Sequence, residues 1–152
     1  MPELLKPTFR RAVVAVNGSP TDERVVRLVS ELARPAKAEV VAVHVVEIDW
    51  TMPLDADIAE RSEEAQRVLD TAEAVAEQHN YRLEGVLLQA RDVGAALVDE
   101  AAERQADVLV LGLPYRTRFG GEFAIGRAIP YCFKNAPCTV WVVRDAIPEE
   151  PR

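Results

Sequence analysis

The feature that most constrains this chain is the regular alternation of short apolar runs with longer segments of helical periodicity. Five runs, at residues 12–16, 40–46, 81–89, 107–112 and 139–143, have the length and composition of β-strands. The segments between them place apolar residues three and four positions apart, as amphipathic helices do. Strands that alternate with helices join through right-handed crossovers. This order therefore predicts an α/β domain with a parallel sheet and helices on both faces.

Four helices are expected between these strands. The first begins near residue 19 and is stopped by Pro35, because proline cannot continue a helix. The second is the longest and runs from residue 58 to about His79, the third is built on Leu97, and the fourth covers residues 126–135. We expect a doubly wound, five-stranded parallel sheet in the order 3-2-1-4-5.

Length and charge restrict the classes of function. The chain has 152 residues and a formal net charge of −7. We expect a single domain over residues 1–152, with a core from about residue 9 to 144 and a loose tail over 145–152. The net negative charge argues against sequence-independent binding to nucleic acid or to an anionic membrane.

The chain also lacks the patterns of membrane and secreted proteins. No apolar run is long enough to span a bilayer, and the first residues do not have the apolar core of a secretory signal. The chain has only two cysteines, Cys132 and Cys138, which are too few to suggest a secreted fold held together by disulfides. We therefore expect a cytoplasmic protein with free thiols and no membrane insertion.

Glycines mark the edge of the sheet where a ligand is expected. In an open doubly wound sheet, ligands bind beyond the carboxyl ends of the strands, where the strand order reverses. Gly18 follows the first strand and Gly112 ends the fourth, and these two strands would be neighbours there. The next loop leads past Gly126 into a helix N-terminus, whose free N–H groups suit phosphate. The alternative is that these glycines serve only the turns.

The sequence has few features that would indicate metal binding or catalysis. His44 and His79 each stand alone, without a second ligand at metal spacing, and no Ser-His-Asp or Cys-His arrangement can be assembled. The acidic loop at residues 47–57 does not match a calcium loop. We therefore expect no catalytic residue and no metal. Trp50 and Met52 in that loop would border a ligand, face a partner or fold back on the core.

Four segments of the chain resemble the universal stress protein family. They are residues 12–20, 38–46, 106–112 and 135–144, so that the resemblance covers about residues 9–144. Aspartate is usual in the family where this chain has Asn17. The loop after the fourth strand, residues 113–125, and residues 129–138 also look like the stress-protein domains attached to amino-acid permeases. That likeness implies either a stand-alone relative or the regulatory domain of a transporter.

The family divides into members that bind ATP and members that do not. Those that bind carry a glycine, two residues, a second glycine, about nine residues and then Gly-Ser or Gly-Thr, to which this chain is similar only in part. The second glycine position holds Tyr115, and the final pair is Gly126-Arg127. By this resemblance, adenine would lie near Asn17 and phosphate near Arg127. The implied site consists of Asn17, Gly18, Val45, Gly112, Tyr115, Gly126 and Arg127.

The altered loop leaves three hypotheses open. Arg127 places a guanidinium group, which can donate two parallel hydrogen bonds to phosphate, at a helix N-terminus. Arg116 and Arg118 lie in the same loop. The first hypothesis is therefore a regulatory module that binds an adenine nucleotide such as ATP, AMP or a cyclic nucleotide. In the second, Tyr115 fills the site and the chain acts only through dimerisation and a protein partner. The third is a slow nucleotide hydrolase, for which the sequence has no obvious base.

The last strand is an edge strand in the predicted topology. Its run from Cys138 to Val143 contains no proline or charge that would protect an open edge. An unprotected apolar edge predicts pairing with a second copy in a symmetric homodimer. The family resemblance implies the same assembly.

Overall fold

Five strands and four helices alternate along the chain in a computed structural model, which describes residues 8–55, 59–116 and 125–149. The strands are β1 (Arg11–Ala15), β2 (Glu39–Glu47), β3 (Glu84–Ala90), β4 (Val108–Leu113) and β5 (Thr139–Arg144). The helices are α1 (Thr21–Ala36), α2 (Ala59–Gln78), α3 (Val93–Glu103) and α4 (Ala128–Asn135).

The sheet is fully parallel, with the strand order β3-β2-β1-β4-β5. Helices α1 and α2 pack together on one face, and α3 and α4 pack together on the other. The order in which successive strands are added to the sheet therefore reverses between β1 and β4. This doubly wound fold and its strand order confirm the prediction.

Burial on both faces explains why the strands are continuous apolar runs. On β1, Val14 packs in the layer under α1 and α2, and the preceding Val13 packs in the layer under α3 and α4. Both side chains are fully buried. Burying an apolar side chain of this size contributes about 1.5–3 kcal/mol to stability.

At the end of α1 and at the starts of β3 and α4, the predicted boundaries differ from the structure for local reasons. Helix α1 continues through Pro35 and ends at Ala36, because a proline in the last turn removes a single hydrogen bond. Strand β3 begins at Glu84 rather than at Tyr81, whose hydroxyl donates a hydrogen bond to the carbonyl of Ala38. Helix α4 begins at residue 128, because Gly126 has a φ of +80° and lies outside it.

Asp145, the first residue of the expected tail, is hydrogen-bonded to both β4 and α1. Asp145 donates its N–H to the carbonyl of Leu113 (3.0 Å) and accepts a hydrogen bond from the Thr21 hydroxyl (2.7 Å). Its carboxylate also pairs with Arg24 (3.3 Å). Asp145 thus fixes the end of β5 to the start of α1, while residues 146–149 are exposed. Residues 150–152 lie outside the described residues.

Both cysteines are free thiols, as predicted. Cys132 is fully buried, and burial raises the pKa of its thiol to about 11. Among the helices that the structure describes, none is both long and apolar enough to cross a membrane.

Candidate functional site

A cavity of about 490 Å³ opens at the carboxyl ends of β1 and β4, where the strand order reverses. The β1–α1 turn, the end of β2, the start of α3 and the β4–α4 loop form its wall. Pockets that hold small molecules and cofactors have volumes of roughly 300–1,000 Å³. The cavity therefore has the size and the position that the topology predicts for a ligand site.

The structure brings most of the predicted site residues together. Five of the seven line this cavity, namely Asn17, Val45, Gly112, Gly126 and Arg127. Gly18 lies in an adjoining groove between the β1–α1 turn and α2. Arg116 also lines the cavity, whereas Arg118, which was predicted in the same loop, lies outside the described residues.

Tyr115 points away from the cavity. Its ring lies against Arg144 at the end of β5, with the guanidinium carbon 5.3 Å from the ring centre. The residues on either side of it, Pro114 and Arg116, are both in the described part of the cavity wall, and Tyr115 is not. The hypothesis that the Tyr115 ring fills the site therefore has no support in this geometry.

Glycine is present at residue 112 in β4 and at residue 126 before α4 for different physical reasons. A Cβ atom on Gly112 would lie 3.1 Å from methyl carbons of both Thr21 and Val25, so that glycine lets α1 pack closely on β4. Gly126 has a φ of +80°, with open space where its Cβ would be. Glycine at residue 126 is therefore required by the backbone conformation and not by crowding.

Asp22 organises the β1–α1 turn, a role that the sequence analysis missed. Its carboxylate accepts hydrogen bonds from the N–H groups of Asn17 (3.1 Å) and Gly18 (2.7 Å). The Asn17 side chain accepts a further one from the N–H of Ser19 (3.0 Å). This turn thus uses its own N–H groups internally. An aspartate five residues after an asparagine in a strand-to-helix turn is the available signal, and on its own it indicates only a favourable helix start.

Asp22 also lines the cavity as a partly buried carboxyl group. Burial raises its pKa, and the two backbone hydrogen bonds and the nearby His44 oppose that effect. His44 donates from Nδ1 to the carbonyl of Val16 (2.8 Å), which ties the end of β1 to β2. This contact gives His44 a structural role.

The cavity wall carries both acidic and basic side chains. Asp22 and Glu47 lie at the start of α1 and the end of β2, Asp92 lies at the start of α3 beside α4, and Arg116 and Arg127 lie in the β4–α4 connection. Asp92 also caps α3 by accepting the N–H of Ala95 (3.0 Å). A ligand with hydrogen-bond donors at one end and an anionic group at the other would match this arrangement.

The α4 N-terminus adds to the basic side. Arg127 is its N-cap residue, and the Arg127 side chain makes no capping hydrogen bond. The first N–H groups of a helix have no partner within the helix and carry the positive end of its dipole. An anion in this part of the cavity would therefore meet N–H donors as well as guanidinium groups.

The β2–α2 loop is ordered by Arg91 and directs apolar side chains outward. One Arg91 nitrogen donates to the carbonyls of Met52 (2.8 Å) and Asp49, and the guanidinium lies 4.9 Å from the Trp50 ring centre. Trp50 is 81% exposed and does not fold back on the core. Of the acidic residues predicted in this loop, Asp57 lies outside the described ranges. In the part of the chain that the structure describes, no three His, Cys, Asp or Glu side chains come together as metal ligands.

Comparisons with known proteins identify relatives of the whole domain. A model of the universal stress protein family matches residues 8–144. A universal stress protein of Methanocaldococcus jannaschii is 25% identical over 142 residues, which cover 90% of this chain and 82% of that protein. The sensor protein KdpD of Mycobacterium tuberculosis is 34% identical over 116 residues. That match covers 76% of this chain and only 12% of KdpD.

Solved structures share the same fold. Two structures of a universal stress protein from Archaeoglobus fulgidus match with TM-scores of 0.73 and 0.69, each at 26% identity and over 88% of this chain. The match covers 97% and 96% of those chains. The second of these structures is a complex with dAMP.

Proposed function

This chain belongs to the universal stress protein family, and from that premise we propose that it is a regulatory module that binds an adenine nucleotide in the cavity. The observation that carries the proposal is the cavity at the point where the strand order reverses, with Arg116 and Arg127 in the β4–α4 connection and the carboxylates of Asp22 and Glu47 toward β1 and β2. The complex of the Archaeoglobus fulgidus relative with dAMP supports an adenine nucleotide as the ligand class.

The charge distribution suggests how the nucleotide would lie. Its phosphate would meet Arg116, Arg127 and the α4 N-terminus, since guanidinium groups and helix N-termini both favour phosphate. Its base would lie toward Asn17 and Val45, where the carboxylates of Asp22 and Glu47 suit a base with an amine donor. The β1–α1 turn is a poor alternative for the phosphate, because Asp22 and Asn17 already occupy its N–H groups.

The proposed action is binding without chemistry. A nucleotide in the cavity would change the assembly of the protein or its contact with a protein partner. Both proposed effects need only that the two states of the protein bind the nucleotide with different affinity. The proposed assembly is a homodimer formed through β5, whose outer edge is open in the sheet.

Exposed apolar side chains on α1 and α4 support the proposed dimer. Arg24 of α1 pairs with Asp145 just beyond β5. Leu28 and Leu32 follow Arg24 at intervals of four residues and are therefore on the same side of the helix. Both leucines are exposed, and Phe133 of α4, on the other sheet face, is 62% exposed. Exposed apolar groups and an unpaired strand edge are both features that suit contact with a second copy.

A thermal-unfolding screen with ATP, ADP, AMP, cyclic AMP and cyclic di-AMP tests the nucleotide proposal. A nucleotide at a hundred times its dissociation constant should stabilise the folded state by about 2.7 kcal/mol. That corresponds to a rise of roughly 5–11 °C in the unfolding temperature of a domain of this size, at about 2–4 °C per kcal/mol. We expect at least one adenine nucleotide to give this shift and Arg127→Ala to reduce it.

The matched control is Arg27→Ala, which removes an exposed arginine from α1, outside the cavity wall. This variant should respond to the nucleotide as the wild type does. If no nucleotide shifts the unfolding temperature, or if both arginine variants respond alike, the proposed site is wrong.

A further inference from the structure

Tyr115 lies between two residues of the cavity wall and yet points out of it. Pro114 and Arg116 line the cavity, whereas the Tyr115 ring lies against Arg144. The side chains of residues 114–116 therefore face alternate sides, so the direction of Tyr115 and that of its two neighbours are linked. Whatever fixes the Tyr115 ring on the β5 side also fixes which side chains enter the cavity.

The surface on which Tyr115 lies is firmly held. Arg144 is paired with Leu113 in the register of β4 and β5, and its Nε donates to the carbonyl of Asp145 (3.1 Å). Asp145 extends the ladder by donating its N–H to Leu113 (3.0 Å) and accepts the Thr21 hydroxyl (2.7 Å). Arg144 therefore stands on a strand end that is fixed to both β4 and α1.

The chain leaves the sheet directly after this pairing. Pro114 has no N–H group to donate on the side of β1, so the ladder between β4 and β1 cannot extend past it. Beyond this point, the contact between Tyr115 and Arg144 holds the chain toward β5. A guanidinium group over an aromatic ring is attracted to the electron-rich face of the ring.

We propose that Tyr115 is a positioning residue whose ring, held against Arg144, directs Arg116 into the cavity toward the phosphate of a bound nucleotide. The inference rests on the proposed nucleotide site. The bulky Tyr115 is thereby accommodated at a position where the members of the family that bind ATP have glycine. Its side chain occupies the β5 side and leaves the cavity open. A preorganised arginine also loses less rotamer freedom when the phosphate binds.

Calorimetric titration with AMP and with adenosine isolates the contribution of the phosphate. In Tyr115→Ala, the affinity for AMP should fall about tenfold, the loss of one charge-assisted hydrogen bond, while the affinity for adenosine stays at the wild-type value. Arg144→Gln removes the partner of the ring and should have the same effect. Tyr115→Phe keeps the ring and should keep the wild-type ratio of the two affinities.

Tyr81→Phe is the control for a general loss of stability. It removes the hydroxyl that donates to Ala38, at the opposite end of the sheet from the cavity, and should leave both affinities unchanged. If Tyr115→Ala does not fold, Arg144→Gln decides the question, because Arg144 is an exposed residue.

The outcomes separate the inference from the proposed function. If the wild type binds neither AMP nor adenosine, the proposed function is wrong and the inference is wrong with it. If the wild type binds AMP more tightly than adenosine and both Tyr115→Ala and Arg144→Gln keep that preference, the nucleotide site stands and the positioning role is overturned.

Discussion

Two aspartates with similar hydrogen bonds have pKa values that move in opposite directions. Asp22 accepts the N–H groups of Asn17 and Gly18, and Asp49 accepts the N–H (2.9 Å) and the hydroxyl (3.0 Å) of Thr51. Burial dominates at Asp22 and raises its pKa. Asp49 is exposed, so its hydrogen bonds dominate and lower its pKa. The surroundings of a carboxyl group, and not its list of partners, decide the sign.

This contrast predicts how each aspartate contributes to stability as the pH changes. Asp22 holds its proton to a higher pH in the folded protein than in the unfolded chain. Its ionisation therefore lowers stability as the pH rises through its folded pKa. Asp49 does the opposite, so its favourable contribution is present above the unfolded pKa and is lost as the pH falls through the lower folded value.

Carboxyl-carbon NMR titration should give a midpoint above 3.8 for Asp22 and below 3.8 for Asp49, where 3.8 is the ordinary value. The free energy of unfolding of the wild type should also fall relative to that of Asp22→Asn as the pH rises through the Asp22 midpoint. Coincident midpoints for the two residues would contradict this explanation.

At the same scale, the sequence identified the position of the site better than the roles of its residues. The location follows from strand order, and Asn17 and Arg127 line the cavity as expected. The direction of Tyr115 could not be predicted, because it depends on where the β4–β5 ladder stops and on Arg144, about 30 residues away in the sequence. The reason for Gly112 also comes from a long-range contact, the close packing of α1.

At the scale of elements, three helices end in the same way. The residues that follow α1, α2 and α3 include Lys37, Asn80 and Gln105, each with a left-handed φ of 54–56°. The next residue donates its N–H to a carbonyl five positions earlier in all three cases, from Ala38 to Ala33, from Tyr81 to Ala76 and from Ala106 to Ala101. This is the Schellman motif, in which glycine normally takes the left-handed position.

The shared motif explains which boundaries were predicted poorly. Glycine after a helical segment is the usual sign of a helix end, and none of these three positions has it. Pro35 therefore served as the only signal for the end of α1, and it lies inside the last turn. The existence of each helix was nevertheless predictable, because the spacing of its apolar residues reflects the face that packs on the sheet.

Glycine substitution at these ends should stabilise the protein. A non-glycine residue in the left-handed region costs about 1–2 kcal/mol, so Lys37→Gly and Gln105→Gly should each raise the free energy of unfolding by up to about 1 kcal/mol. Asn80→Gly should gain less, because asparagine tolerates this conformation. Chemical denaturation measures each change. Lys37→Ala is the control, and if it stabilises as much as Lys37→Gly, the backbone explanation is wrong.

At the scale of the whole molecule, the two edges of the sheet are β3 and β5. The hydrogen bonds of β5 to β4 use alternate residues, since Thr139 donates to Asp107 (3.3 Å) and Asp145 donates to Leu113 (3.0 Å). In a parallel ladder, the N–H groups of residues 141 and 143 then also face β4, and those of residues 140, 142 and 144 face outward. The outward N–H groups are the ones that a second copy would use.

This alternation allows the proposed dimer to be tested without disturbing the fold. Val142→Pro removes an outward N–H group and leaves the ladder to β4 intact. We expect sedimentation to show a dimer for the wild type and for Val142→Ala at concentrations on the order of tens of micromolar, and a folded monomer for Val142→Pro. Val142→Ala keeps the N–H group and loses only side-chain contacts, so it separates edge pairing from apolar packing. A dimer that persists in Val142→Pro would show that the copies associate through another surface, and a monomeric wild type would show that the open edge of β5 is not an interface between copies.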